Sequence, residues 1–434
     1  MYTVAREPPL AAVLSPEFQD TYCATCFSEI DASQSDSEIL TCDDCTQVSY
    51  CSLKCQRKDW KTVHQLECEI LRGTSQKMTV TMRLCVRVLL STIGKSDIDG
   101  LETNYKEFRS SPKHNQFLSD VLTIIKASGH NIFPKSMDNN KMIAIICTVL
   151  CNSFGIIAEK RVEPIGSGLY VGLAKHNHSC ASSCHVVFDG NQAILRSRDR
   201  QYCKNTTISY VSRMLPTFER QKSIRNVHFI TCRCEMCLNE DLDLTGLASK
   251  CQTSKCQGFV KNGSCTTCGK SALIPFEQST QSTSKLLDIL ENRHKSMDTV
   301  QDEYRHLQNL REDYGRILAD CNVAILQLDE QLAYCASEMK NVPEDMELVA
   351  LRGVQHFISR LGIGAPEVTR RLYIACKCLS RLQKYSMEIP KLAVQSSLES
   401  HGEDHPISKF LADLIIRNLE IQEFRNSEIQ KFEI

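Results

Sequence analysis

The chain has 434 residues, a formal net charge of -1 and 24 cysteines. That length exceeds what one core accommodates and implies two or three packed units. The charge balance excludes a globally basic nucleic-acid binder, though not a local basic patch.

With 42% hydrophobic residues and no low-complexity tract, the sequence is that of a folded protein. The cysteines do not indicate a secreted disulfide scaffold. Such scaffolds are small, Met1 to Leu14 lacks the basic and apolar regions of a signal peptide, and most cysteines sit at metal-ligand spacing. A reducing compartment, nucleus or cytoplasm, is expected. The longest apolar stretch, Met142 to Cys151, is too short to span a bilayer, so no membrane association is expected.

Residues 1–22 read as an extended lead-in running through Pro8-Pro9 to Leu14. Cys23, Cys26, Cys42, Cys45, Cys51, Cys55, His64 and Cys68 then form four closely spaced pairs. Eight soft ligands in that pattern fit two tetrahedral zinc sites. So short and polar a segment needs the metal to fold. Its last part, Ser52 to Leu71, has helical character around Trp60, Val63 and Leu66. Lys54, Arg57, Lys58 and Lys61 read as a solvated helix face rather than a nucleic-acid contact.

Residues 76–165 read as mainly helical, with apolar periodicity in Met82–Ile93, Phe117–Ile125 and Lys141–Phe154. The period then changes. His185–Phe188 and Ala193–Leu195 flank an Asp189-Gly190-Asn191 turn and predict a hairpin. Thr207–Val211 predicts a short strand closed by Tyr210. Cys232, Cys234 and Cys237 lack a fourth thiolate, which Cys180 supplies; four thiolates would close a structural zinc site. Cys251, Cys256, Cys265 and Cys268 fit a zinc ribbon or, failing that, free thiols, with Gly258, Gly263 and Gly269 for its turns. From Ser284 onward the chain is helical. Val300, Tyr304, Leu307, Leu310, Tyr314, Ile317 and Cys321 mark one apolar face, with breaks near Pro343, Gly362–Pro366, Pro390 and His405-Pro406. Antiparallel helices of this kind suggest a bundle or repeat array.

The first cluster, together with Tyr50-Cys51, Cys55-Gln56, Trp60 and His64, resembles the MYND zinc finger. By that resemblance the ligands interleave: Cys23, Cys26, Cys51 and Cys55 hold one zinc, and Cys42, Cys45, His64 and Cys68 the other. A docking role toward proline-rich peptides is implied. Asn152-Ser-Phe154, Gly166–Tyr170, Asn177-His178-Ser179-Cys180, Ile208-Ser-Tyr210 and the run Arg220–Cys237 follow in an order that resembles the SET methyltransferase core and its post-SET zinc site. Together the segments resemble the SMYD family of protein-lysine methyltransferases.

The resemblance implies a multidomain α+β architecture. Residues 1–22 would be a remnant of the N-terminal SET segment, 23–68 the MYND finger, 69–150 a helical insert and 151–212 the SET core. The post-SET region would cover 213–240, the candidate ribbon 245–272 and a TPR-like helical domain 280–434. It also implies S-adenosylmethionine as cofactor and a histone or other lysine-bearing protein as substrate. Asn152, Asn177, His178 and Tyr210 would bind cofactor; on their own chemistry Asn177 and His178 also read as buried hydrogen-bonding residues. Tyr210 would line the methyl-transfer channel and orient the amine, where the residue alone also reads as a core tyrosine.

The sequence departs from the family at four places. No glycine turn precedes Met1–Pro9, serines stand at Ser182 and Ser183 where Pro and Asn are expected, and Tyr202–Thr206 replaces a Gly-Glu-Glu stretch. Phe229 lies one position early, with Ile230 in the aromatic's place. These changes predict a weakened cofactor floor, and a catalytically weak or inactive adaptor as the alternative to an enzyme.

Overall fold

The computed structural model describes residues 2–30, 39–74, 78–95, 97–129, 132–158, 161–197, 206–292, 299–383 and 387–417. The Tyr202–Cys203–Lys204–Asn205 part of the departure before Thr206 lies outside these residues.

Strands β1 (Tyr2–Glu7) and β2 (Ala11–Leu14) do not form a sheet with each other. Each joins partners far along the chain. The metal-binding segment follows with β3 (Leu40–Thr41), β4 (Ser49–Tyr50), α1 (Leu53–Asp59), a π turn over Trp60–His64, and α2 (Gln65–Gly73). Helices α3 (Val80–Ser91), α4 (Tyr105–Ser110), α5 (Pro112–Gly129) and α6 (Asn139–Asn152) form the insert. Thr79 caps α3 and Asp138 caps α6, each side chain accepting a backbone N–H from the first turn.

The helical reading of 76–165 runs too far. Backbone extends at Ser153, and β5 (Ser153–Ile157) pairs with β6 (Pro164–Leu169), which also pairs with β2. Phe154, read as the end of a helix, is a strand residue: α6 ends at Asn152 and the C-cap Ser153 is already extended. Gly166 is required there: a Cβ would lie 2.2 Å from the Val13 carbonyl of the neighbouring strand.

Next come β7 (Asn177–His178), β8 (Cys184–Asp189), β9 (Gln192–Ser197) and β10 (Thr207–Ile208). The hairpin β8–β9 turns at Gly190, φ 58°, and β1 completes its sheet on the far side of β9. β10 pairs in parallel with β7. It ends at Ile208, so Tyr210 lies just past the strand rather than closing it.

Helices α7 (Thr217–His228), α8 (Glu235–Leu238) and α9 (Glu240–Gly246) lead to the small sheet β11 (Ser249–Lys250), β12 (Phe259–Lys261), β13 (Ser264–Cys265). Seven helices follow: α10 (Phe276–Asn292), α11 (Val300–Tyr314), α12 (Val323–Glu338), α13 (Met346–Leu351), α14 (Val354–Leu361), α15 (Pro366–Arg381) and α16 (Glu388–Ser400). A last helix covers 406–417.

The apolar face predicted from Val300 stops at Tyr314; Ile317 and Cys321 lie beyond the helix, in the turn that leads to α12. The breaks expected near Pro390 and His405-Pro406 are present: α15 ends at Arg381 before α16, and α16 ends at Ser400 before the last helix. Both prolines sit in first turns, where a missing N–H is tolerated.

Two large apolar cores result, with a small cluster of Ala248, Ala319 and Cys321 beside them among the described residues. One runs without a gap from Ala11–Leu14 through Tyr22, Tyr50 and Leu71 to the insert helices and Ile156, Leu169 and Leu195. The other lies among α10–α16 and the last helix. The first finger therefore shares its core with the strands around it. No helix among the described residues is long and apolar enough to cross a membrane.

Candidate active site and metal centres

The sequence-predicted ligands fall into four groups of four: Cys23, Cys26, Cys51, Cys55; Cys42, Cys45, His64, Cys68; Cys180, Cys232, Cys234, Cys237; and Cys251, Cys256, Cys265, Cys268. Within each group the ligand atoms all lie within 4.8 Å of one another. Four sulfurs held about 2.3 Å from a zinc at tetrahedral angles stand about 3.8 Å apart. The sulfurs of Cys26 and Cys51 are 3.7 Å apart, those of Cys42 and Cys68 3.8 Å, and those of Cys180 and Cys237 3.6 Å. Cys251 and Cys268 are at 3.7 Å, Cys256 and Cys265 at 3.6 Å. These separations are too long for disulfides and fit a closed tetrahedral donor set, so the residues present fit zinc in each group.

Local backbone prepares three of the groups. After Cys23-x2-Cys26, Cys42-x2-Cys45 and Cys265-x2-Cys268 the next residue is left-handed: Phe27 at φ 62°, Thr46 at 55° and Gly269 at 70°. Each returns its N–H to the carbonyl of the first cysteine, at 2.9, 2.9 and 3.0 Å. Phe and Thr adopt this conformation at a cost, which the surrounding ligand geometry overrides. Gly263 also has positive φ, whereas Gly258 is needed for space: a Cβ would lie 2.5 Å from Thr267 Oγ1 and 2.7 Å from Cys265 Sγ.

Around His64 lies a buried ion network that sequence reading missed. His64 Nδ1 meets Glu67 at 2.9 Å, while its Nε2 faces Cys45 Sγ at 3.7 Å. Glu67 is fully buried and receives Arg83 Nε at 2.8 Å and Arg87 Nε at 2.9 Å. Burial works against its charge, but Arg83 and Arg87 outweigh it and hold the carboxyl well below the usual carboxylate range. Arg87 also reaches Asp59 and the Ala12 carbonyl, joining finger, insert and β2. Of the apolar residues expected to anchor this segment, Val63 is buried, whereas Trp60 and Leu66 are each 37% exposed. Lys54, Arg57, Lys58 and Lys61 are exposed.

At the third group, Arg220 is fully buried and directs Nη2 toward Cys237 Sγ at 3.6 Å and the Thr217 hydroxyl at 2.8 Å. Gln221 clamps Cys232 through both its backbone N–H and carbonyl.

Beside this group a cavity of about 510 Å³ is lined by Asn152, Phe154, Ser182, Ile208, Tyr210 and His228, and closed opposite by Pro366, Glu367 and Arg370 of α15. Its size falls in the range of small-molecule sites. Parallel pairing of β7 with β10 sets Asn177-His178 next to the Tyr210 segment. Tyr210 N–H donates to His178 Nδ1 at 3.0 Å, and the Tyr210 hydroxyl donates to the His176 carbonyl at 2.6 Å. The Tyr210 ring lies between the imidazoles of His178 and His228, with centroids at 5.1 and 4.4 Å.

Asn152 lines the cavity with its amide nitrogen committed to the Glu102 and Thr148 carbonyls. Asn177 is exposed and does not line it. His228 and the α15 residues escaped the sequence reading. A histidine at a helix end carries no local signal, and α15 arrives from more than a hundred residues away.

A family model for the MYND finger matches residues 23–68. Human N-lysine methyltransferase SMYD2 is 28% identical over 249 residues, covering 54% of this chain and 55% of that protein. Mouse SMYD2 is 26% identical over 313 residues, 68% of each chain. SET domain-containing protein 14 of Caenorhabditis elegans is 25% identical over 272 residues, covering 60% of this chain and 61% of that protein. The MYND finger and these relatives together support membership of the SMYD family. The chain spans about half the length of the curated relatives it matches.

In this chain the departures from the family pattern take physical form. Ser183, where Asn is expected, exchanges two hydrogen bonds with Thr207: its hydroxyl accepts the Thr207 N–H at 3.0 Å and its N–H reaches Thr207 Oγ1 at 3.2 Å. That pair ties the loop after Cys180 to β10. Ser182, where Pro is expected, is 5% exposed and its hydroxyl has no hydrogen-bond partner among the described residues. Phe229 ends α7 in a left-handed conformation, φ 56°, and packs edge-on against Phe108 at 5.2 Å. Ile230, in the expected aromatic position, is 45% exposed.

Proposed function

We propose that this chain is an S-adenosylmethionine-dependent protein-lysine N-methyltransferase acting on histone or other protein lysines, in the nucleus or cytoplasm. The observation that carries the reading is the β7–β10 pairing, which holds Asn177-His178 beside Tyr210, a residue that itself lines a largely apolar cavity. The names of the relatives support it.

The attacking lysine amine must be neutral, yet a free lysine titrates near 10.4. Phe154, Ile157, Val162, Phe188 and Ile208 make the cavity apolar, which disfavours the ammonium. The Tyr210 hydroxyl spends its proton on the His176 carbonyl. Its oxygen is then left as an acceptor that can orient an amine N–H. Catalysis on this reading is alignment and exclusion of water, with no covalent enzyme intermediate. S-adenosylmethionine, when bound, supplies the electrophilic methyl group. Asn177, whose side chain is exposed and makes no hydrogen bond among the described residues, fits as a cofactor ligand. His178 and the side-chain oxygen of Asn152 would complete the set. Exposed Leu53, Trp60 and Leu66 on the finger offer an apolar surface for a proline-rich peptide.

A second reading, a non-catalytic adaptor, draws on Phe229. The aromatic nearest the expected adenine-stacking place is instead packed on Phe108 and His114. Isothermal titration with S-adenosylmethionine separates the two. The enzyme reading expects micromolar binding by the full chain, weakened at least tenfold in Asn177→Ala. Absence of binding would leave the adaptor.

A further inference from the structure

Arg213 lies just beyond Tyr210 in the chain and lines the same cavity. The turn that carries it is closed by the Leu215 N–H on the Ser212 carbonyl. It is anchored by Met214, buried in the second apolar core, and by Leu215, which packs against that core. Arg213 is 7% exposed. A guanidinium has five N–H donors, and this one makes a single contact among the described residues, Nη2 to Glu367 at 3.4 Å. That is longer than a good N–H···O hydrogen bond. The neighbouring buried arginines differ. Arg220 and Arg360 each give an Nη donor to the Leu215 carbonyl, and Arg370 holds both oxygens of Glu330. A guanidinium nearly removed from water, on a cavity wall, with most of its donors unused, is set to meet an acceptor that arrives from the cavity.

We propose that Arg213 binds an acidic side chain of the protein substrate, close in sequence to the target lysine. This deepens the methyl-transfer reading above and rests on it. A carboxylate offers two oxygens to the planar fork, and a charge that an amide or a backbone carbonyl lacks. The largely apolar walls make that charge pair stronger than it is in water. Tyr210 and Arg213 share one cavity of about 510 Å³, so in an extended substrate lysine and acid stand within about three residues of each other.

The sign of the preference follows from the groups around the site. Glu367 opens α15 opposite Arg213, with Arg370 one turn along the same helix. Burial works against the Glu367 charge, but Arg213 and Arg370 outweigh it and hold the carboxyl below its usual range. A basic substrate residue would add a third cation beside two guanidiniums. An acidic one takes the donors that Glu367 leaves open, and Arg213 then bridges two carboxylates. Arg87 already does this in the finger, between Glu67 and Asp59.

The test is methyl transfer from S-adenosylmethionine by the full zinc-loaded chain to lysine-centred peptides in which each nearby residue on either side of the lysine is in turn Glu, Gln or Lys. At one position Glu should exceed Gln in kcat/KM by roughly 10–100-fold, with Lys poorest. In Arg213→Met that ratio should fall to within about threefold of unity. Both peptides are compared on one preparation, so loss of folded protein does not move the ratio. Should Arg213→Met not fold, Arg213→Met combined with Glu367→Gln takes its place, since it leaves no carboxylate without its partner. Wild-type transfer with no position favouring Glu, or a preference that survives in the variant, overturns the inference and leaves the methyl-transfer reading intact. An S-adenosylmethionine Kd raised about tenfold or more in the variant also overturns it, because the carboxylate bound there would be the cofactor's. Transfer to none of the peptides removes both.

Discussion

His64 points one ring nitrogen into the second cysteine group and the other at Glu67, 2.9 Å away. The tautomer that binds metal is thereby fixed by a carboxylate that two arginines hold in place. Replacing Glu67 with Ala would leave Arg83 and Arg87 buried without their main partner. The expected cost is about 3–5 kcal/mol, with roughly 10–100-fold weaker zinc retention in the finger. Chelator competition on the full chain measures it; retention equal to wild type would show that the network is incidental to the metal.

Arg220 makes a parallel prediction for the third group. Arg220→Met keeps the buried volume but removes the charge beside Cys237. One zinc of the full complement should leave roughly 10–100 times faster, the others unchanged, when release is followed with a chromophoric chelator. Uniform release from all sites would contradict a local role.

Which parts of this were legible follows from distance along the chain. Ligand pairs three or four residues apart, such as Cys42 and Cys45, are set by local turns and can be read directly. The crossing of pairs, Cys23 with Cys55 and Cys42 with Cys68, came from family resemblance, because spacing alone permits other partitions. Glu67, Arg83 and Arg87 carry no local signal in the sequence; only their mutual contact shows why they are buried. Trp60 and Leu66 fit an apolar period yet remain partly exposed, since the core side of the segment is taken by Val63, His64, Glu67 and Cys68. Tyr210 was placed on a strand because Thr207–Val211 is β-branched and aromatic, but the ladder to Asn177-His178 closes after two residues. The cavity needed α15, whose approach no local pattern encodes.

The two serines that replace Pro and Asn behave oppositely. Ser182→Ala removes a buried hydroxyl with no protein partner among the described residues and should stabilise the chain by about 1 kcal/mol. Ser183→Ala breaks the exchange with Thr207 and should destabilise by about 1–2 kcal/mol. Urea midpoints of the zinc-loaded variants give both signs; a destabilised Ser182→Ala would mean that the hydroxyl has a partner.

His405 sits at the contact between the last helices and the β8–β9 sheet, 1% exposed, with its ring nitrogen 3.1 Å from the Phe188 carbonyl. Burial pushes it below its usual value, with the Phe188 carbonyl opposing in part. The folded state therefore holds His405 neutral, while the unfolded chain takes up a proton as pH falls below about 6.5. Its contribution is present above that pH and is lost on acidification, at up to about 1.4 kcal/mol per pH unit. The difference in urea midpoint between wild type and His405→Gln should shrink from pH 7.5 to 5.5. A difference independent of pH would contradict a neutral buried histidine.

The reading of the Tyr210 cavity as a methyl-transfer site meets its most direct test in transfer of radiolabelled methyl from S-adenosylmethionine to a mixed protein lysate, comparing the full chain with Tyr210→Phe. The account predicts lysine-borne label with wild type and a loss of roughly 100-fold or more in the variant, which retains the ring but not the oxygen. Equal labelling by the two proteins, or none by wild type, would contradict it.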